Sequence, residues 1–218
     1  MILRHRVLAL TALISIGRLE TAAAQVEAQV FFGSAVSAPL PMTIKQDGQP
    51  DIHFTARWAT RPAQPTWYYA WRLGFWKNGR GWRLDHTHHK LYLINNPAGV
   101  DTFRITNGFN MLTVSRAFRH RRLTYSLGAG PVVTYPVNTI RNRKIDHDRG
   151  LHGYLLSGGT VIGMATREFP LAGGLVLSVD ARGSASYVRV PVVSGRASLP
   201  NAALHLHVGL GYWLGRKT

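Results

Sequence analysis

The chain has 218 residues, with 26 Lys and Arg against 10 Asp and Glu, a formal charge of +16 and no cysteine. It is long enough for one sizeable domain, and the lack of cysteine excludes disulfides and thiolate metal sites. So basic a chain suggests a polyanionic partner. An N-terminal export signal argues against nucleic acid and in favour of envelope phosphates.

That signal is read from residues 1–24. Arg4 and Arg6 form a basic start, Val7 to Gly17 is apolar, and Ala22-Ala23-Ala24 offers a small-residue cleavage site before Gln25. The apolar run falls short of the ~20 residues that a helical span needs. In residues 25–50, Val30 to Val36 is strand-like and Pro39-Leu40-Pro41 breaks it. The segment fits a periplasmic extension, a piece tucked into the mouth of the fold, or an extra strand.

From residue 51 onward, alternation marks eight strands. The first, 51–60, sets Ile52, Phe54, Ala56 and Trp58 against His53, Thr55 and Arg57. The second, 67–76, sets Trp67, Tyr69, Trp71, Leu73 and Phe75 against Arg72 and Gly74. The third, 82–94, changes phase between Leu84 and Leu91, which predicts a bulge among Thr87 to Lys90. The fourth, 103–118, has a similar irregularity near Asn110. The fifth, 122–135, alternates Leu123, Tyr125 and Leu127 against Thr124, Ser126 and Gly128, and the sixth, 154–168, is rich in glycine. The seventh, 174–188, opposes Leu177 and Val179 to Ser178, Asp180 and Arg182. The eighth, 203–214, opposes Leu204, Leu206, Val208, Leu210 and Tyr212 to His205, His207, Gly209 and Gly211.

The connections after the second, fourth and sixth strands are short, and the others are longer. The predicted fold is all-β: an eight-stranded antiparallel transmembrane β-barrel over residues 51–218, with short periplasmic turns, longer extracellular loops and both termini in the periplasm. Aromatics fall at both ends of the outward faces. Trp58, Trp67, Phe103, Tyr135 and Tyr187 are expected at the outer interface, and Phe75, Trp82, Tyr125 and Tyr212 at the inner one. A soluble lipocalin-like ligand binder in the periplasm is the alternative. It would place the apolar face inward, with a Lys- and Glu-rich exterior rather than the Gly, Ser, Thr and Arg found here.

Over residues 51–214 the chain resembles the small eight-stranded outer-membrane barrels of the OmpX and PagL type. The resemblance implies a location in the bacterial outer membrane, reached through the periplasm and the barrel-assembly machinery. It does not select a function, since the architecture serves adhesins, structural proteins and lipid A enzymes. Two departures stand out. The chain ends Leu214-Gly215-Arg216-Lys217-Thr218 rather than on an aromatic, and the deacylase pattern of a His followed two residues later by Ser-Asn is replaced by His86-Thr87-His88-His89.

Three clusters are candidate sites. His86 and His88 share a face of the third strand, and simple register brings Thr113 and Ser115 beside them. A His next to a Ser can activate the hydroxyl for acyl transfer, so His86, His88 and Ser115 are the candidate catalytic set of a lipid A or phospholipid acyl hydrolase. Arg57, Arg72, Asp180, Arg182, His205 and His207 occupy inward positions and are expected to form a lumenal charge network, with Asp180 paired to Arg182, Arg57 or Arg72. The loop bases Arg141, Arg143, Lys144 and Arg149 suit lipid phosphates. No cofactor or metal is expected, because two histidines leave a metal under-coordinated. The expectation is a monomeric, non-enzymatic barrel in contact with outer-membrane lipids and lipopolysaccharide, and not with nucleic acid.

Overall fold

A computed structural model of the chain describes residues 24–145 and 153–215. The expected export signal up to Ala23, and Arg149, lie outside the described residues. Strands β1 (Gln25–Ser37), β2 (Leu40–Gln46), β3 (Ile52–Ala56), β4 (Trp58–Ala59), β5 (Tyr69–Lys77) and β6 (Arg80–Leu93) are followed by β7 (Val100–His120), β8 (Leu123–Ile140), β9 (Arg143–Lys144), β10 (Leu155–Pro170), β11 (Leu175–Val192) and β12 (Gly195–Leu214). All pairings are antiparallel. The order β1-β5-β6-β7-β8-β10-β11-β12 closes on itself, because β12 also pairs with β1 from Val26 opposite Leu214 to Ser37 opposite Ala203. The result is a ring of eight staves.

Two of those staves are interrupted. Strands β1 and β2 both run along β12 as one stave, broken at Ala38-Pro39, where the Ala38 N–H still reaches the Ala202 carbonyl at 2.8 Å. The break follows from proline, which cannot donate to the ladder. Strand β3 folds back on β2, β4 pairs with β6, and β5 continues lower down between β1 and β6. Residues 60–68 form an excursion between the two halves of this second stave.

The sequence-based count of eight therefore holds with different members. Residues 25–50, read as an extension or extra strand, supply the first stave. Residues 51–60 and 67–76, read as two staves, are the upper and lower halves of one. The irregularity expected near Asn110 is present, since β7 carries Thr106 to Gly108 where β6 has only Lys90. The bulge expected among Thr87 to Lys90 is not: Arg83, Asp85, Thr87, His89 and Leu91 keep one inward phase, and Leu91 reads as out of phase because the interior becomes apolar at its level. The β5–β6 turn is Asn78-Gly79, with φ of 51° and 72°. Both residues lie in the left-handed region, as a two-residue turn compatible with strand twist requires.

The outward face is apolar over most of the ring. On β12, Leu204, Leu206, Val208, Leu210, Tyr212 and Leu214 are exposed, and Val30, Phe32, Leu127, Val161 and Val179 continue the band around the wall. Phe75, Trp82, Tyr125 and Tyr212 are exposed near the short-turn end. A continuous apolar belt of this extent has no favourable solvent but lipid, so the barrel spans a membrane. A soluble barrel with an inward apolar pocket would show the opposite polarity. At the other end, Trp67 and Tyr187 are exposed, but Trp58 and Phe103 are buried and tilted against each other at 6.1 Å between ring centroids. They belong to a core inside the barrel rather than to an interfacial girdle.

The interior is layered. At the short-turn end Trp76 and Trp213 meet at 5.8 Å and pack with Ala117 and Val176. Charged side chains follow, then a layer of histidine, tyrosine and small polar groups. Above them lies an apolar core that includes Met42, Ile44, Trp58, Phe103, Ile105, Phe109, Val132, Val190 and Leu199. Small residues let neighbouring staves fill the lumen. A methyl group at Gly209 would come within 2.4 Å of the Phe31 ring, and one at Gly74 within 2.3 Å of Glu27 Oε1.

Candidate functional site

The lumenal network begins with alternation. On β11, Ser178, Asp180, Arg182, Ser184 and Ser186 point inward and are buried, and on β5 and β6 the inward residues are Arg72, Arg83 and Asp85. Strand pairing sets Arg72 opposite Asp85 and Asp180 opposite His207. Arg72 Nε donates to Asp85 Oδ1 at 2.7 Å and its Nη2 to Asp180 Oδ1 at 3.1 Å. Arg182 donates to Asp180 through Nε and to Thr87 Oγ1 through Nη1 at 2.7 Å. Both guanidinium groups lie over the Phe31 ring, at 5.1 and 5.2 Å. A second group of charges lies nearby: Arg83 Nε donates to Glu27 Oε1 at 2.6 Å, Gln29 Nε2 bridges Glu27 and Glu168 at 3.1 Å each, and Arg119 pairs with Glu168 at 3.5 Å.

Arg72, Arg83, Arg119 and Arg182 thus face Glu27, Asp85, Glu168 and Asp180. The carboxylates and guanidinium groups balance, which is the condition for taking charges out of water. Of the predicted members, Arg72, Asp180, Arg182, His205 and His207 are all inside and buried. Arg57 is not. Ala56 and Trp58 face the apolar core, so the residue between them faces out, and its N–H binds Asn95 Oδ1 at 2.8 Å. Glu27, Arg83 and Glu168 escaped sequence reading. Glu27 lies in residues 25–50, for which the sequence allows three placements, and the alternation of Arg83 with Trp82 and Leu84 is the signal for its inward position.

The histidine layer sits above the charges. His205 is held between Tyr68 Oη at Nδ1 and Ser184 Oγ at Nε2, the latter at 2.8 Å. His207 stacks on Tyr68 at 5.4 Å, with Nδ1 3.8 Å from Asp180 Oδ2. His89 meets Ser37 Oγ at 3.3 Å, and Asn201 donates to the same hydroxyl at 3.1 Å. Ser184 and His205 have the spacing of a nucleophile and its base, but they face a lumen filled by Phe31, Tyr68 and Arg182. Among the described residues no group of three or more His, Asp or Glu is placed to hold a metal ion.

The proposed catalytic set does not assemble. Trp82, Leu84 and His86 share the outward phase of β6, and His86 lies opposite Leu112 rather than Ser115. His86 Nε2 and His88 Nδ1 both reach Asn110 Oδ1, at 3.1 and 2.9 Å, while their rings stack on Trp71 and Tyr69 at 5.5 and 5.1 Å. Ser115 faces the lumen opposite Arg83 and donates to Asp85 Oδ2 at 3.4 Å. The wall itself separates the two histidines from the serine.

Unbalanced charge collects at both ends of the barrel: Lys77, Arg80, Arg121, Arg122 and Arg167 are exposed at the short-turn end, and a second group lies at the outer rim. Arg57, Arg61, Arg104, Arg143, Lys144, Arg189 and Arg196 are exposed around the long-loop end, against the acids Asp47, Asp51 and Asp101. Of the predicted phosphate-binding loop, Arg143 and Lys144 are exposed on β9, and Arg143 Nη2 donates to Ser194 Oγ at 3.0 Å. Arg141 is committed to architecture: its Nη1 binds Gln46 Oε1 at 2.6 Å and its Nη2 the Pro50 carbonyl at 2.7 Å, tying the β8 end to the β2–β3 hairpin. Lys45 Nζ sits 2.7 Å from Asp51, and that hydrogen bond holds the Asp51 carboxyl below its ordinary value.

No known protein family and no curated protein matches the chain. Among solved structures it is similar to the Neisserial surface protein A, at 11% identity and a TM-score of 0.40 over 87% of this chain and 96% of that one. It is also similar to Ail, the attachment invasion locus protein of Yersinia pestis, at 12% identity and a TM-score of 0.40 over 86% and 98%. The outer membrane protein AlkL, solved in lipid bilayers, is similar at 10% identity and a TM-score of 0.47 over 99% of both chains.

Proposed function

We propose that the protein is a non-enzymatic integral barrel of the bacterial outer membrane whose cationic outer rim binds the lipid phosphates of the outer leaflet. One observation carries this reading. Among the described residues the lumenal arginines are matched by lumenal carboxylates, while the bases at the long-loop end outnumber their acids. The chain's positive surplus therefore lies on exposed surfaces, where it attracts polyanions. The apolar belt supplies the membrane and the filled lumen argues against a pore. Separation of His86 and His88 from Ser115 leaves the acyl-hydrolase reading without its site.

The test is exchange between membranes. The full-length exported protein should fractionate with the outer membrane and show heat-modifiable gel mobility. Reconstituted in phosphatidylcholine vesicles, it should take up lipopolysaccharide in a salt-dependent manner. Replacing Arg57, Arg104, Arg143 and Lys144 with Gln together should weaken that uptake. A protein that stays soluble in the periplasm without detergent, or uptake indifferent to both salt and the four substitutions, sinks the proposal.

A further inference from the structure

We propose that the outward wall formed by β10, β11 and β12 is a docking site for one phosphorylated, acylated glycolipid of the outer leaflet, with a phosphate on Arg189 and Arg196 and an acyl chain in the groove below. The inference rests on the outer-leaflet reading above and gives it a specific place.

The groove is a depression of about 570 Å³ in the apolar belt, floored by Gly163, Gly183, Ala185 and Ala202 and walled by Leu127 and Leu204. A neighbouring depression of about 690 Å³ extends it past Ala165 and Ala181 toward the short-turn end. The floor is cross-strand paired, with Gly163 opposite Gly183, Ala165 opposite Ala181 and Ala185 opposite Ala202. Backbone conformation does not call for these glycines. A methyl group on Gly163 would meet nothing within 4 Å, and one on Gly183 only Leu204 Cδ2 at 3.8 Å. Gly209 and Gly74 are different, since the lumen leaves them no room. The open glycines shape the outer surface and do not relieve the inner one. An apolar depression of this form fits a flexible hydrocarbon chain by contact area and dispersion.

The charge lies at the correct end. Above Ala185 on the same face of β11 come Tyr187 and then Arg189, which lies opposite Ser198. Arg196 is outward on β12, opposite Pro191. Both arginines are exposed, and among the described residues neither joins an ion pair with a carboxylate. Arg189 Cζ sits 5.8 Å from the centre of the Tyr187 ring, at the apolar boundary. Four residues at ~3.3 Å each put Arg189 about 13 Å beyond Ala185 along the strand. Guanidinium groups bind phosphate through paired charge-assisted hydrogen bonds.

The experiment uses full-length protein in phosphatidylcholine nanodiscs doped with lipid A, and counts retained lipid A by native mass spectrometry. Three proteins are compared with wild type: Gly163→Leu with Gly183→Leu, which fills the groove; Arg189→Gln with Arg196→Gln, which leaves the groove open; and Val114→Leu, a control elsewhere on the belt. Heat-modifiable mobility confirms that each is folded. The expected result is one lipid A retained by wild type and by the control, with affinity about tenfold lower in each double variant, the scale of one or two lost charge-assisted contacts. If wild type retains lipid A and the arginine pair does so equally, the site is elsewhere and the rim reading survives. If phosphatidylglycerol displaces lipid A at equal concentration, the glycolipid assignment is overturned. If wild type retains none, both readings fall.

Discussion

Asp180 is the residue on which most of the lumen depends. It accepts from Arg72, Arg182 and Thr166, and its own side chain is fully buried. Removing one partner of such a group leaves the other charges uncompensated in a confined space, which typically costs roughly 3–5 kcal/mol. Val179, the preceding residue of β11, faces lipid and is 37% exposed. Truncating it removes about two methyl groups of contact, on the order of 1 kcal/mol. Asp180→Ala should therefore lower the unfolding midpoint in detergent well below that of Val179→Ala, and urea titration of the two folded variants measures the ranking. The opposite order would mean that the strand is inside out. Asp180→Asn should fall between them, since it keeps the acceptor oxygen and loses the charge.

At the scale of the element, the interrupted staves concentrate weakness in one place. The excursion 60–68 crosses the seam and is held from below by Lys90, whose Nζ donates to the carbonyls of Arg61 and Gln64 at 3.1 and 2.7 Å, and by Thr60 Oγ1 on the Ala35 carbonyl at 2.7 Å. Lys90 stands alone opposite Thr106 to Gly108 of the β7 bulge, and its side chain points at the loop. Lys90→Met should keep the barrel folded and heat-modifiable while making residues 61–67 a site of limited proteolysis. Resistance equal to wild type would show that the loop is held by packing alone. This seam also marks the limit of sequence reading. Period-two alternation identified the lipid-facing phase of β5, β8, β10, β11 and β12 and of the lower parts of β6 and β7, because one face of each stave meets hydrocarbon; it failed at Leu91, which lies in the internal core. It could not say that 51–60 and 67–76 share a stave, because nothing local distinguishes two strands joined by a loop from one strand that leaves the sheet and returns. Trp58 and Phe103 misled for a related reason. Above the lipid boundary the interior becomes apolar, so the same alternation carries the opposite meaning. The lumenal pairing of Asp180 with Arg72 and Arg182 was legible from inward phase and the scarcity of acids. Arg57 was misplaced with its strand, and the His86–Ser115 proximity failed because β6 and β7 pair in a register that puts the serine beside Arg83.

For the molecule as a whole, the layering decides permeability. Eight staves enclose only enough space for side chains. Here that space holds a tryptophan pair, an ion-paired layer, a histidine layer and an apolar core in series. Planar bilayer recordings should show no steady conductance from wild type. Persistent single-channel steps at moderate voltage would contradict the packing. Asp180→Ala should leave the bilayer silent as well, since the apolar core above it is untouched.

The closure between β1 and β12 has a consequence in time. Val26 meets Leu214, so the first and last staves to emerge are each other's neighbours. Contacts this distant in sequence are slow to form. Until β12 arrives, β1 presents an unpaired edge bearing Val30, Phe32 and Val36, a template for the wrong partner. The nascent chain must therefore be escorted with that edge covered. Deleting the last residues of β12, from Gly211 to Leu214, should leave a species that never acquires heat-modifiable mobility.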